Sequence, residues 1–306
     1  MEGVLTGFSI IGVVIGVGYL TARWGLVPPE ARGVLSRIAF FVTTPALLFT
    51  VLAKADVTVL FSSFLLVSLA TVAVVALISL LASRLFFRRP LPETVIGTAA
   101  SVYVNANNIG LPVAIYVLGD PQWVAPTLLL QLIVLAPTVL TLLDISTSGR
   151  TSVGAILTQP LRNPMIVASA LGLVVAVSGV TLPAPVLAPF SIIGNASIPL
   201  VLMAFGMSLR GQRPLEAGSA RVEVAVASTL KAVVMPAIAY LMGRFVFALD
   251  AQHLFAVTVT AALPTAQNIF TFASRYDRGI AVARDTALVT TVAAVPVLVV
   301  VSLLLG

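Results

Sequence analysis

Ten long apolar stretches follow one another along the 306 residues of this chain, and they limit the available folds more than any other feature. Each can cross the ~30 Å hydrocarbon core of a bilayer as an α-helix. They lie at roughly 3–22, 31–53, 58–83, 93–118, 121–143, 160–179, 186–209, 219–247, 250–274 and 280–305. A water-soluble domain cannot bury a composition that is 59% hydrophobic and 9% charged. The sequence therefore predicts an all-α polytopic membrane protein.

The basic residues predict the topology of these stretches. When the ends are assigned to alternate sides, fourteen arginines fall on one side, against only Lys54 and Arg244 on the other. The fourteen are Arg23, Arg32, Arg37, Arg84, Arg88, Arg89, Arg150, Arg162, Arg210, Arg213, Arg221, Arg275, Arg278 and Arg284. Because such residues crowd cytoplasmic ends, we expect ten spans in the inner cell membrane with both termini on the non-cytoplasmic side. The net charge of +6 is thereby explained without a nucleic-acid partner.

The two halves of the chain resemble each other. SRIAFFVTTPALLFT (36–50) is similar to FSIIGNASIPLVLMA (190–204), which matches two prolines at an offset of 154. Pro112 and Pro264 match at an offset of 152, whereas an alternative alignment of ANNI with AQNI requires 160. We prefer the proline alignment because its offset agrees with that of the other pair. The predicted units are a first five-helix repeat at 1–143, a cytoplasmic linker at 144–159 and an inverted second repeat at 160–306.

The fourth and ninth spans each carry a proline beside polar residues. A proline removes one backbone donor and displaces the carbonyl four residues earlier, so Pro112 is expected to free the carbonyl of Asn108. Pro264 is expected to free that of Thr260 in the same way, and Gly110 loosens the fourth span further. Irregular backbone at membrane depth is tolerated only where protein or a wet cavity satisfies it. Two corresponding breaks in inverted halves indicate a transporter binding site.

Amide side chains cluster at these two breaks. Such groups are costly at membrane depth unless they are hydrogen-bonded, so their number predicts a polar cavity. The candidate substrate-binding residues are Asn105, Asn107, Asn108, Thr265, Gln267 and Asn268, with Gly110, Pro112 and Pro264 at the breaks. On a continuous helix Asn105 and Asn108 share a face and Asn107 points away from Asn105. One face would meet the substrate, and the other would satisfy the freed carbonyls.

Both stretches resemble signatures of one transporter family. NANNIGLPVA looks like the fourth-helix signature of the auxin efflux carrier family, in which an Asn-containing stretch runs into Gly-x-Pro. AALPTAQNIFTFASRYD is similar to its ninth-helix Ala-Leu-Pro with a Phe-x-Phe-Ala-x-x-Tyr ending. The signatures occur in order and at the matching span numbers, and the short central loop is typical of bacterial members. The resemblance covers nearly the whole chain.

The resemblance implies a fold like that of the bile-acid sodium symporters. Two inverted five-helix repeats would cross their broken helices 4 and 9 near the midplane, with helices 1, 2, 6 and 7 as a scaffold. Helices 3–5 and 8–10 would form a transport domain that moves like an elevator. The implied substrate is an organic anion, either an auxin-like monocarboxylate or a small dicarboxylate such as malonate, and the implied assembly is a homodimer through the scaffold. Half-helix N-termini at the crossing, with about +0.5 charge each, would suit a carboxylate.

Polar residues also flank the matched prolines of the second and seventh spans. They are Thr43 and Thr44 in the first half and Asn195 and Ser197 in the second. These scaffold groups either face the substrate across the sliding interface or satisfy backbone groups at the kinks. The sequence leaves both roles open.

Lys231 is a charged residue deep within a predicted span, about twelve residues from its start at Ser219. That distance is ~18 Å along a helix, beyond easy snorkelling to a surface, and a buried ammonium needs a partner. Three roles are open: pairing with the substrate carboxylate, holding freed carbonyls where sodium-coupled relatives hold a cation, or capping a helix end. The second is favoured, because the transport domain would contain both helix 8 and the crossing. It also resembles the lysine-containing support site of auxin carriers.

The acidic residues limit the coupling mechanism. All eleven map to span ends or loops, and the chain has no cysteine. We therefore predict no cofactor and no metal site, and expect no dedicated sodium site, since hard cations prefer charged oxygen ligands. Sodium coupling stays open, because backbone and amide oxygens can also bind sodium. Proton coupling stays open as well, because Lys231 or the substrate itself can carry a proton.

These observations predict a secondary transporter for an organic anion. An enzyme is disfavoured because no Ser-His pair, metal-ligand set or carboxylate pair is predicted at membrane depth. An anion channel is the more serious alternative, because broken half-helices also line pores. A sodium-coupled organic-acid symporter is the other alternative.

Overall fold

A computed structural model describes residues 2–54, 63–148, 163–211, 215 and 220–306. Its helices, numbered here by predicted span, are α1 Glu2–Arg23, α2 Ala31–Leu52, α3 Ser63–Phe87, α4a Leu91–Val102, α4b 106–116, α5 Pro121–Thr147, α6 Pro164–Ser178, α7 Ala184–Ser208, α8 Arg221–Val246, α9a Ala251–Ala262, α9b Gln267–Tyr276 and α10 Ile280–Leu305. No β-strand occurs within the described ranges, so the all-helical prediction is confirmed.

Six of the described helices are long and apolar enough to cross a membrane. They are α2, α3, α5, α7, α8 and α10. Residues Ser9–Arg23 of α1 and the whole of α6 form shorter apolar helices. The chain is therefore a multi-pass membrane protein by the length and composition of its helices. Helix α5 continues past residue 143, and most of the predicted linker at 144–159 lies outside the described residues.

Two helices are interrupted by extended backbone. Helix α4a ends at Val102 and α4b begins at Ala106, while α9a ends at Ala262 and α9b begins at Gln267. The expected break at Pro112 is wrong, because this proline lies inside α4b. The preferred proline alignment is wrong here as well, since α4a and α9a end 160 residues apart, the offset of the alternative alignment.

Widened π turns explain why several prolines leave their helices unbroken. Four prolines each follow a five-residue π turn by two positions: Pro45 after Ala39–Thr43, Pro112 after Ala106–Gly110, Pro137 after Gln131–Leu135 and Pro236 after Leu230–Val234. A π turn moves each hydrogen bond one residue further back along the chain, which absorbs the missing donor of a proline. Among the prolines inside the described spans, Pro264 alone coincides with an interruption.

Glycines set the closest helix contacts. A Cβ on Gly18 of α1 would lie 2.3 Å from the carbonyl oxygen of Met203 in α7, and one on Gly206 of α7 would lie 2.0 Å from that of Ile15. Helices α1 and α7 therefore approach backbone to backbone, as small residues allow in membranes. Gly194 of α7 makes a similar approach to the backbone of α2. These contacts bring α1, α2 and α7 together on one side of the molecule.

Arginines at helix ends join neighbouring elements. Arg210, after α7, donates to the carbonyl of Ala22 near the end of α1. Arg89, after α3, donates to the carboxylate of Glu223 at the start of α8. This hydrogen bond raises the pKa of Arg89. The basic residues therefore connect helix ends in addition to any role in topology.

Candidate functional site

The two interruptions lie against each other. Val104 and Thr265 form an isolated antiparallel bridge. The N–H of Asn105 donates to the carbonyl of Pro264 at 2.7 Å, and the N–H of Ala266 donates to that of Tyr103 at 2.9 Å. Backbone groups that would otherwise be unpaired in an apolar interior thus satisfy one another.

Two side chains donate hydrogen bonds to carbonyls in the last turns of α4a and α9a. The hydroxyl of Thr265 donates to the carbonyl of Ala100 at 2.6 Å. The ammonium of Lys231, which is 0% exposed, donates to the carbonyl of Ala261 at 2.7 Å and contacts the sulfur of Met235 at 3.1 Å. This contact fits both the second interpretation of Lys231, in which the ammonium holds carbonyls beside the break, and the third, in which it caps a helix end.

Asn105 begins α4b rather than lining a cavity. Its side-chain oxygen accepts from the N–H of Asn108 at 3.2 Å, which is the N-cap interaction that Asn commonly supplies. The helical-wheel argument fails because Asn105 is not helical. Asn107 and Asn108 instead lie together, with the amide nitrogen of Asn107 donating to the side-chain oxygen of Asn108 at 2.9 Å.

A cavity of about 340 Å³ opens beside the paired interruptions. The predicted residues Asn107 and Asn108 of α4b line it, together with Gln267 and Asn268 of α9b. Both interrupted helices thus contribute amides to one space of the size used for small ligands. The predicted residues Asn105 and Thr265 are buried outside its lining, where they cap α4b and bind a carbonyl.

Residues not assigned to the site from sequence complete the lining. Ser36 and Phe40 come from α2, and Ser208 from α7, where its hydroxyl accepts from the side-chain nitrogen of Gln267 at 3.4 Å. Arg32 of α2 and Arg284 of α10 supply positive charge. No carboxylate is among the described residues of this lining.

The four scaffold-facing candidates are all outside the cavity. Thr44 and Ser197 pair with each other, their hydroxyl oxygens 2.8 Å apart and buried between α2 and α7. The hydroxyl of Thr43 is also buried, and Asn195 is exposed at the end of the first part of α7. The Thr44 and Ser197 contact joins two side chains, so it corresponds to neither of their two expected roles. Ser36 and Ser208, nearer the arginine-rich ends of the same helices, line the cavity instead.

Asp285 differs from what the sequence predicts for an acid at a span end, because it is fully buried. It lies near the start of α10, as expected of an acid at a span end, yet it is 0% exposed. Its carboxylate accepts from Nε of Arg284 at 2.7 Å and from the N–H of Leu215 at 3.2 Å. The adjacent Arg-Asp pair in an otherwise apolar stretch was a usable signal for Arg284. Arg32 carried none, because it resembles every other arginine at a helix end.

A second cavity of about 20 Å³ lies behind the interruptions, between α3, α5, α8 and α9a. Thr71, Thr127 and Gln131 line it, and their side-chain oxygens have no hydrogen-bond partner among the described residues. The volume and these oxygens suit a single water molecule. The expectation of no dedicated sodium site can therefore be tested at this cavity.

Comparison with known proteins identifies a transporter family. The membrane transport protein family matches residues 4–152 and again 145–302. The chain is also 28% identical over 290 residues to a protein of Rhizobium meliloti (strain 1021) named "Putative malonate transporter", an alignment that covers 92% of this chain and 89% of that protein. The chain belongs to the membrane transport protein family, which is the auxin efflux carrier family.

Proposed function

We propose that this protein is a secondary transporter that carries a small organic anion across the inner cell membrane. The observation that carries the proposal is the cavity at the paired interruptions, which combines amides from α4b and α9b with two arginines. Amide N–H groups and guanidinium groups are the donors that bind carboxylates in proteins. The substrate class is an auxin-like monocarboxylate or a small dicarboxylate, and the malonate named in the relative is the first compound to test.

The proposed architecture has ten spans in two inverted repeats, with the interrupted fourth and ninth spans crossing at the midplane. Support comes from the two family matches, one to each half of the chain, and from the bridge between Val104 and Thr265. Both termini would lie on the non-cytoplasmic side.

The proposed mechanism is an elevator. Helices α1, α2, α6 and α7 form the scaffold, while α3–α5 and α8–α10 carry the substrate past it. The cavity supports this division, because α2 and α7 line one part of it and α4b, α9b and α10 line the rest. A substrate held between a fixed and a moving body can be exposed to each side of the membrane in turn, which is alternating access. A homodimer through the scaffold is part of the proposal.

Transport of labelled malonate and indole acetate into proteoliposomes tests the function. Wild-type protein should give saturable uptake, and Asn107→Ala and Asn108→Ala should each lower it roughly ten- to hundredfold by removing a hydrogen bond to a charged substrate. Gln252→Ala is the matched control, because this amide of α9a is exposed and outside the cavity. Unchanged uptake in both cavity variants contradicts the proposed site.

An anion channel and a sodium-coupled symporter are the competing functions. Broken half-helices favour the channel as well, so single-channel recording is the deciding measurement: unitary currents far above carrier turnover contradict the transporter. The small cavity at Thr71, Thr127 and Gln131, with three unpaired side-chain oxygens, is the candidate place for a coupling cation. Uptake with sodium replaced by choline should be unchanged, since Lys231 already holds the Ala261 carbonyl beside that cavity.

A further inference from the structure

The charged groups of the large cavity come from two different parts of the fold. Arg32 lies in the first turn of α2, and Arg284 lies in the second turn of α10. Both line the same space of about 340 Å³, without a carboxylate among the described residues of its lining. The cavity therefore has a cationic part in addition to its four amides.

Arg32 has no anionic partner within the described part of the protein. Its guanidinium makes no hydrogen bond or ion pair with another described residue. A guanidinium carries five donors in a planar fork that matches a carboxylate. Arg32 is thus placed to bind an anion that enters the cavity from outside the protein.

Arg284 is held in place by its neighbour. Its Nε donates to Asp285 at 2.7 Å, and Asp285 is fully buried and anchored by the N–H of Leu215. The side chain of Arg284 is 30% exposed. Because the guanidinium is planar, fixing Nε also fixes the direction of the other nitrogens. Asp285 is therefore a positioning residue for Arg284.

The amide group of the cavity differs in chemistry from the arginine pair. Asn107, Asn108, Gln267 and Asn268 are neutral, and they come from the starts of α4b and α9b. One carboxylate can be bound by amide donors alone. The carboxylate of Asp285 offsets the charge of Arg284, so the two arginines leave one net positive charge that the proximal carboxylate does not require. Together with the guanidinium donors, this charge would bind a second carboxylate.

We propose that Arg32 and Arg284 form a second anion subsite, which binds the distal carboxylate of a dicarboxylate while the amides bind the proximal one. The transported substrate is then a dianion, and the two arginines determine its preference over monocarboxylates of the same size. This inference rests on the proposed function and narrows its substrate class. It assigns a binding role to two residues that sequence reasoning treated only as topology signals.

Malonate and malonamate are the probes that test this subsite. They have nearly the same size and shape, but malonamate carries a neutral amide in place of one carboxylate. In proteoliposomes the wild-type protein should transport malonate with a kcat/KM about tenfold or more above that of malonamate. Arg32→Gln should reduce this preference about tenfold, chiefly by slowing malonate uptake, while malonamate uptake is retained. Arg32→Lys should retain part of the preference, because it keeps the charge without the fork.

Two further variants complete the test. Arg284→Gln alone leaves Asp285 buried without its arginine, so it is paired with Asp285→Asn in a double variant that should lose the preference in the same way. Arg37→Gln is the matched control, an exposed arginine on α2 outside the cavity, and should keep the wild-type ratio. Every variant is checked for monodispersity and thermal unfolding before flux is measured.

The outcomes separate the subsite from the proposed function. Equal transport of both probes by wild-type protein overturns the subsite, as does an equal loss of both probes in Arg32→Gln and the double variant. Saturable uptake of malonamate with no role for the arginines would leave the amide site and the transporter intact. Absence of saturable uptake of any carboxylate by wild-type protein overturns the transporter itself.

Discussion

At the scale of single residues, the groups that hold the interruptions are distinct from those that line the cavity. Thr265 and Lys231 each donate to a carbonyl near the end of a half-helix, and Asn105 caps the next half-helix. Asn107 and Asn108 are left to face the cavity. Polar residues adjacent in sequence therefore divide between stabilising the backbone and meeting a ligand.

Replacing Lys231 with alanine should abolish transport while the protein still folds. The substitution removes a buried charge, whose desolvation is unfavourable, but leaves the Ala261 carbonyl without its donor, at a cost of about 1–3 kcal/mol. Flux in proteoliposomes and thermal unfolding are the measurements. Lys54→Ala, at an exposed helix end, is the control and should behave as wild type. Full activity of the Lys231→Ala variant would remove this residue from the mechanism.

At the scale of elements, proline and glycine act through the geometry around them. Prolines that follow a π turn remain inside a helix, whereas Pro264 lies in an extended interruption. Glycines in the same helix also differ: Gly18 touches the backbone of α7, but a Cβ on Gly16 would meet nothing within 4 Å. The residue type alone does not identify which position matters.

Gly18→Ala should destabilise the protein, and Gly16→Ala should not. The new methyl group at position 18 would lie 2.3 Å from the Met203 carbonyl oxygen, so α1 and α7 must separate. Overpacking of this kind costs about 1–3 kcal/mol, and the backbone of α7 has little room to yield. At position 16 alanine has open space and a better helix propensity. Thermal unfolding in detergent compares the two variants, and equal melting temperatures would contradict the close contact.

At the scale of the whole molecule, the cavity lies between two groups of helices that would slide past each other in the proposed elevator. Gln267 of α9b donates to the hydroxyl of Ser208 of α7 at the wall of the cavity, whereas Thr44 and Ser197 pair within the proposed scaffold. The first contact crosses the proposed sliding interface. The second does not.

Cross-linking distinguishes these two contacts. The chain has no native cysteine, so Ser208→Cys with Gln267→Cys can be joined by a short bifunctional methanethiosulfonate reagent without background reaction. Uptake should fall to the level of empty proteoliposomes and return on reduction, because the moving body is tied to the scaffold. The control pair, Thr44→Cys with Ser197→Cys, should cross-link without loss of uptake. Full uptake by the cross-linked first pair would contradict the elevator.

Much of this protein follows from the sequence by itself. Apolar length determines that the chain is a helical membrane protein, because the bilayer core admits helices whose backbone groups are satisfied internally. The amides around positions 107 and 267 indicate the cavity, because neutral polar groups are unfavourable in lipid unless they have hydrogen-bond partners.

Only the tertiary structure decided where the fourth span breaks and which charges face the cavity. A proline shows that one donor is missing, but a π turn can absorb that loss, so the break falls at residues 103–105 rather than at Pro112. In the sequence Arg32 looks like any other arginine at a helix end, and the adjacent Arg284-Asp285 pair does not show which space Arg284 faces. Their place beside the amides depends on the packing of α2 and α10 around α4b and α9b, contacts between residues far apart in the chain that no local pattern encodes.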